Sequence, residues 1–185
     1  ELTRVLDPER VAKQYAHEVS DGVVQRVMIS MALACRPELL IADEPTTALD
    51  ITTEDQIIRL IGDLKKEIGF SVLYITHNLG VIARVCDRVG IMYAGKIVEL
   101  GDVKTIFKRS VHPYAHGLLT AFPRVDVDVN RLPSIPGTVP NLIDPPKGCR
   151  FHTRCQEAKN VCKTSEPKLI EMEPGHLVSC HMAVS

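Results

Sequence analysis

The stretch Leu39-Leu40-Ile41-Ala42-Asp43-Glu44-Pro45-Thr46-Thr47-Ala48-Leu49-Asp50 constrains this chain more than any other. Its four leading apolar residues read as a fully buried strand of an open α/β sheet, with two adjacent carboxylates at the carboxyl end, where such sheets bind ligands. An acidic pair there can divide labour, Asp43 holding a hydrated Mg²⁺ while Glu44 polarises a water. A plain strand end followed by a helix N-terminus would use the same residue types. The company the pair keeps favours chemistry: Thr46 to Asp50 follow it, and a Ser20-Asp21-Gly22 helix start precedes it.

Taken in order, residues 1–15 suggest a short amphipathic helical segment, and Val19-Ser20-Asp21-Gly22-Val23 opens a helix running toward Cys35. Residues 52–68 place Ile57, Ile58, Leu60, Ile61 and Leu64 on one helical face, with Thr52 or Thr53 as cap and Gly69 as stop. Ser71 to Thr76 is a second buried strand, ending at His77-Asn78; a histidine in that place is either a hydrogen-bonded structural residue or a donor to a phosphate. Leu79 to Val85 reads as a short helix. Arg88 to Tyr93 and Lys96 to Leu100 are two strands joined at Ala94-Gly95, and Gly101-Asp102 begins another helix. The run Gly90 to Lys96 has phosphate-loop spacing, but Ile97 stands where a hydroxyl would bind Mg²⁺ and the flanks read as a hairpin. Cys35 and Cys86 read as small core residues.

At Ser110 the chain changes character. His112-Pro113-Tyr114 opens a helical stretch to Phe122, and residues 123–146 contain six prolines, the mark of an extended linker that is ordered only where it packs on something. Cys149, Cys155, Cys162 and Cys180 crowd the end, separated by five, six and seventeen residues. In a reducing compartment such thiols suggest metal. The spacing lacks the close pair usual for zinc, whereas iron–sulfur sites accept longer loops; an iron–sulfur cluster, zinc with help from His152, His176 or His181, and plain free thiols all remain open.

The Asp43-Glu44 strand, Ala48-Leu49-Asp50 and Ile75-Thr76-His77 resemble the Walker B strand, D-loop and H-switch of ABC-transporter ATPases, in that family's order and at its spacings. More narrowly, Arg26-Val27-Met28-Ile29 through Cys35-Arg36-Pro37 and the tail from His112 resemble the ATPase subunits of oligopeptide and dipeptide importers. The resemblance covers nearly the whole chain. It implies an α/β fold: the C-terminal part of an ABC-type P-loop NTPase nucleotide-binding domain over residues 1–109, then a small Cys-rich, Pro-rich extension over residues 110–185. It implies an ATPase that energises peptide import, with Glu44 and His77 catalytic and Asp43 on Mg²⁺. Asp50, Ser20 and Gly22 would serve ATP, the last two at the signature that meets the partner's nucleotide. The four tail cysteines would carry a four-iron four-sulfur cluster of structural role, with zinc as the alternative.

The family's signature is usually Leu-Ser-Gly-Gly-Gln, and Asp21 stands where its first Gly is expected. At about 4 Å and an effective dielectric of roughly 20, a carboxylate beside a phosphate costs on the order of 4 kcal/mol before screening, so a weakened or silent signature is expected. As a helix cap, Asp21 would instead contribute about 1 kcal/mol. The family's phosphate loop and Q-loop would precede Glu1, which suggests part of a longer subunit or a naturally truncated relative. The chain alone is then expected to be inactive.

Lys+Arg 22 against Asp+Glu 23 gives no basic field for nucleic acid, and no signal-peptide or membrane-span pattern is present. The expected partners are a second ABC ATPase subunit, two transmembrane permease subunits and, indirectly, an extracellular peptide-binding protein, with the subunit on the cytoplasmic side of the membrane. The alternatives are a catalytically silent regulatory or metal-binding relative and a nickel-type importer ATPase.

Overall fold

The computed structural model describes residues 2–47, 49–121 and 134–184. Ala48 of the D-loop-like segment, and Phe122 with the first part of the Pro-rich stretch, therefore lie outside the described residues. The chain divides into two compact units, Glu1–Val85 and Cys86–Ser185.

The first unit begins with α1 (Pro8–Val11), shorter than the expected segment, and a 3₁₀ turn at Ala16–Glu18. Helix α2 (Asp21–Leu33) follows, then β1 (Leu39–Asp43), α3 (Ile51–Ile68), β2 (Ser71–Ile75) and α4 (Leu79–Val85). Strands β1 and β2 pair in parallel, Leu39 opposite Ser71 through Asp43 opposite Ile75, with α3 as the crossover. The apolar stripe of α3 is buried as its spacing predicts, Ile57, Ile58, Leu60, Ile61 and Leu64 each at 1% exposure or less. At ~1.5–3 kcal/mol per buried side chain, this stripe anchors the unit. It packs with Ile29 and Leu33 of α2, with Leu40 and with Phe70. Gly69 ends α3 at φ 85, a left-handed cap that glycine adopts without strain.

Two expectations fail here. The cap of α3 is Asp50, whose Oδ1 accepts the N–H groups of Thr52 and Thr53 at 3.0 Å each, so the helix starts a residue earlier than expected. And β1 is buried on one face, Leu40 and Ala42, while Leu39 and Ile41 are 51% and 60% exposed; β2 likewise exposes Leu73 and Ile75. The period-2 geometry of a strand puts these four odd-numbered residues on one side of the sheet and the helices α2 and α3 cover the other.

In the second unit, β3 (Arg88–Tyr93) and β4 (Lys96–Asp102) form an antiparallel hairpin. Ala94 at φ 48 and Gly95 at φ 79 make the tight turn, which settles the phosphate-loop look-alike as a hairpin. Gly101 and Asp102 belong to the strand, so α5 is Val103–Arg109. Helix α6 (Pro113–Thr120) and α7 (Asn160–Thr164) follow, then two strands the sequence did not announce, β5 (Ile170–Glu173) and β6 (His176–Val178). The sheet order is β3-β4-β6-β5, so the end of the tail completes the hairpin's sheet. An aromatic group fixes the tail further: Tyr93 lies 4.6 Å from Tyr114 and 5.1 Å, edge-on, from Phe151. The Pro-rich segment is held where it packs, Arg154 donating to the carbonyls of Ile135 (2.9 Å) and Pro136 (2.8 Å). Cys86 is partly buried and Cys35 exposed, so neither is a core residue.

Candidate functional site

The tip of β1 is built by an unusual turn. Glu44 takes φ 46, a left-handed conformation costly for a residue with a Cβ, and its N–H donates to the carbonyl of Ile75 at 2.8 Å. The parallel ladder is thereby extended one step beyond Asp43, and the Glu44 side chain is turned toward the loop after β2. There His77 Nδ1 lies 2.9 Å from Glu44 Oε1, and Thr47 Oγ1 donates to Oε2 at 2.9 Å. The His77 bond, then that from Thr47, holds the Glu44 carboxyl below its ordinary range. With His77 83% and Glu44 39% exposed, the pair is open to solvent and to a ligand. The carboxylate is thus in the ionised form that a base must have, with its proton affinity lowered by the two donors.

Ser20, Gly22 and Asp50 meet elsewhere in the same unit. They line one cleft of about 570 Å³ together with Asp21, Thr53 and Arg26. Ser20 holds the N-cap position of α2, its carbonyl accepting Val23 N–H at 2.9 Å, while its side chain makes no capping bond. Asp21 is thus not the cap but the first helical residue. A Cβ at position 22 would stand 2.9 Å from Thr53 Cγ2, so Gly22 is what lets α2 start this close to α3. Asp50 is held below the usual carboxylate range, first by the Thr53 hydroxyl at 2.6 Å. The structure therefore gathers the expected residues into two groups, Asp43, Glu44 and His77 at the strand tips and Ser20, Gly22 and Asp50 at the helix starts.

In the second unit, Cys149 N–H donates to the carbonyl of Cys162 at 2.8 Å, which clasps two of the tail cysteines together. None of the six cysteines forms a disulfide. Burial pushes the thiols of Cys149, Cys155 and Cys180 up, and each is raised further by the charge of neighbouring cysteines of this set. Backbone N–H groups oppose this: that of Phe151 bonds Cys149, that of Glu157 bonds Cys155, and those of Met182 and Ala183 bond Cys180. Among the described residues no three His, Cys, Asp or Glu side chains are close enough to hold a single metal ion. One ring nitrogen of each histidine considered for zinc has a protein partner: His152 Nδ1 with Cys149 O at 2.8 Å, His176 Nε2 with Glu99 Oε1 at 2.8 Å and His181 Nε2 with Ser165 O at 2.9 Å.

The sequence reading missed Thr47 and Asn78. Thr47 was legible as a hydroxyl three residues beyond Glu44, and Asn78 as the polar residue that begins a helix. It also missed Glu99, a lone acid inside an apolar strand.

The geometry and motifs above define the class: an α/β nucleotide-binding segment of the ATP-binding cassette type. The family model described as "ABC transporter" matches residues 1–47, and that described as "Oligopeptide/dipeptide transporter, C-terminal region" matches residues 98–162. The chain is 53% identical over 180 residues to a probable peptide ABC transporter ATP-binding protein of Sinorhizobium fredii, covering 97% of this chain and 54% of that protein. It is 48% identical over 190 residues to the oligopeptide transport ATP-binding protein of Escherichia coli, covering 100% and 56%. The dipeptide transport ATP-binding protein of Bacillus subtilis matches at 46% over 179 residues, 97% and 53%. The two matching family models and these relatives are those of oligopeptide/dipeptide ABC-transporter ATP-binding proteins, and the chain spans about half the length of the curated relatives it matches.

Proposed function

We propose that the chain is the C-terminal part of an ATP-hydrolysing subunit that energises peptide import, with Glu44 as general base and His77 beside the γ-phosphate. The observation that supports this best is the contact between these two side chains, brought to 2.9 Å from two different strand ends with the carboxyl held ionised. Glu44 can take the proton of an attacking water, and His77 can donate to oxygen as charge develops there. Asp43 would hold Mg²⁺, which when bound neutralises phosphate charge. Asp50, Ser20 and Gly22 would face nucleotide, the latter two that of a second ATPase subunit across a dimer. Two permease subunits and, indirectly, an extracellular peptide-binding protein complete the assembly, with no nucleic acid. The subunit would sit on the cytoplasmic face of the membrane through the permeases; among the described residues no helix is long and apolar enough to cross a membrane.

The decisive substitution is Glu44→Gln in the assembled transporter. Loss of the base is expected to lower steady-state ATP turnover roughly 100-fold or more while nucleotide still binds. Unchanged turnover would favour the catalytically silent relative instead. Asp21→Gly removes a negative charge from the cleft at the start of α2 and is expected to raise turnover; no gain would show that Asp21 does not limit the signature.

We place the boundary between cassette and extension at residues 109 and 110, where composition changes, the extension folding back to complete the hairpin's sheet. Cys149, Cys155, Cys162 and Cys180 are proposed to hold a four-iron four-sulfur cluster. The cysteines feel one another's charge, and that closeness supports this reading; backbone N–H bonds to three of them partly offset the upward push of burial on their thiols. A cluster also spreads its ligands over the corners of a cube, so it does not need the tight grouping a single ion does. When bound it would cross-link a tail with little core of its own. Anaerobic analysis of the protein is expected to find about four irons and four sulfides, lost in Cys155→Ser; zinc in their place would select the alternative.

A further inference from the structure

We infer that Glu54 is a positioning residue for the Glu44–His77 pair, because one of its carboxylate oxygens fastens both loops on which that pair rides. The inference rests on the ATPase reading above and assigns Glu54 no contact with substrate. Glu54 lies in the first turn of α3, half-buried, its N–H on the carbonyl of Asp50 at 2.8 Å. Its Oε1 accepts the Thr46 hydroxyl at 2.9 Å and the Asn78 side-chain amide at 3.2 Å. Thr46 stands two residues past Glu44, and Asn78 is the residue after His77.

The Asn78 amide has no freedom to turn away. Its Oδ1 accepts Gly80 N–H at 3.0 Å and Val81 N–H at 3.4 Å at the start of α4, and its own N–H donates to Thr76 Oγ1 at 3.0 Å. The NH₂ group must then face Glu54, so an acceptor is required at that place; a second donor would repel it. Helix α3 carries the most deeply buried side chains of this unit, so Glu54 ties two strand-tip loops to its packed core. Without the tie, the 2.9 Å contact between Glu44 and His77 is left to the Glu44 N–H bond to Ile75 on one loop and to the Asn78 cap of α4 on the other. Displacement of a catalytic group by about 1 Å costs up to roughly a hundredfold in rate.

The test is steady-state ATP hydrolysis by the assembled transporter, carrying the full-length subunit, for Glu54→Ala, Glu54→Gln, Thr46→Val and the Thr46→Val/Glu54→Ala pair, with Glu44→Gln alongside. Glu54→Ala is expected to lower kcat roughly ten- to a hundredfold with KM for ATP unchanged. Glu54→Gln keeps an acceptor oxygen and is expected to restore most of the rate. The double variant is expected to lose little beyond Glu54→Ala, since both remove the same tie. Wild-type kcat in Glu54→Ala, an equal loss in Glu54→Gln, or a fall in kcat matched by a fall in subunit thermal stability and a rise in KM would each overturn the positioning role. If Glu44→Gln is dead while Glu54→Ala turns over normally, the positioning role alone falls. If Glu44→Gln turns over normally, the ATPase reading falls and this inference with it.

Discussion

Replacing Glu99 by alanine is expected to destabilise the second unit by about 3–5 kcal/mol. Glu99 is fully buried in β4, and every donor that satisfies it comes from another part of the unit. Val111 N–H reaches Oε1 at 2.9 Å, His112 N–H reaches Oε2 at 2.8 Å and His176 Nε2 reaches Oε1 at 2.8 Å. The carboxylate thus joins the entry to α6 and strand β6 to the hairpin. Its removal leaves three donors without an acceptor, two of them in the buried residues His112 and His176, at about 1–3 kcal/mol for each buried donor if nothing relaxes. His112 has no spare capacity to compensate. Its Nδ1 accepts Tyr114 N–H at 3.1 Å, and burial pushes its pKa down to about 4, so the ring stays neutral. Glu173 is the control: it pairs with Arg109 at 2.9 and 3.1 Å, but both side chains are more than half exposed, and its loss is expected to cost about 0–1 kcal/mol. Denaturation followed by far-ultraviolet circular dichroism measures both. A Glu99→Ala protein no less stable than Glu173→Ala would remove the network as a stabilising feature.

Gly148→Ala is expected to cost on the order of 3 kcal/mol or more and to strip the tail of any cluster it holds. Gly148 has φ 71, and a Cβ there would stand 2.4 Å from the carbonyl oxygen of Cys162 and 2.8 Å from the carbonyl carbon of Lys163. These are backbone atoms, which cannot rotate aside as a side chain can. The same carbonyl of Cys162 accepts Cys149 N–H, so relief of the clash opens the clasp between two proposed ligands. Gly175 has a similar φ of 78 with nothing within 4 Å of the would-be Cβ. Gly175→Ala therefore carries the conformational cost alone, about 1–2 kcal/mol. Comparing the two by thermal melting and by iron and sulfide content separates contact from conformation. Equal melting temperatures and equal iron content would show that the close approach at Gly148 does not matter.

Much of the candidate site was readable in the chain. Asp43-Glu44 after an apolar run and His77 after the next one sit at two adjacent strand tips because β1-α3-β2 is a crossover whose strands pair in parallel and in step. The α3 stripe was equally legible, since a 3.6-residue period leaves little choice about which face is buried. The departure at Asp21 was visible as a residue, but the cap it was offered as belongs to Ser20, because cap position depends on where backbone dihedrals change and not on which polar residue is best suited. Asp50 was expected to serve nucleotide, and the structure shows it capping α3.

Local pattern, then, determined the helices and strands from α2 to α6 and which residues stand at the strand ends, because those follow from periodicity and turn chemistry over a few residues. Tertiary structure alone decided which face of β1 is covered, that residues 170–178 add two strands to the β3–β4 hairpin, and that Glu99, His176 and the backbone at His112 meet. Those outcomes turn on contacts between residues up to 77 apart in the chain, where the cost of burying an acid is met by donors that no nearby stretch of sequence contains.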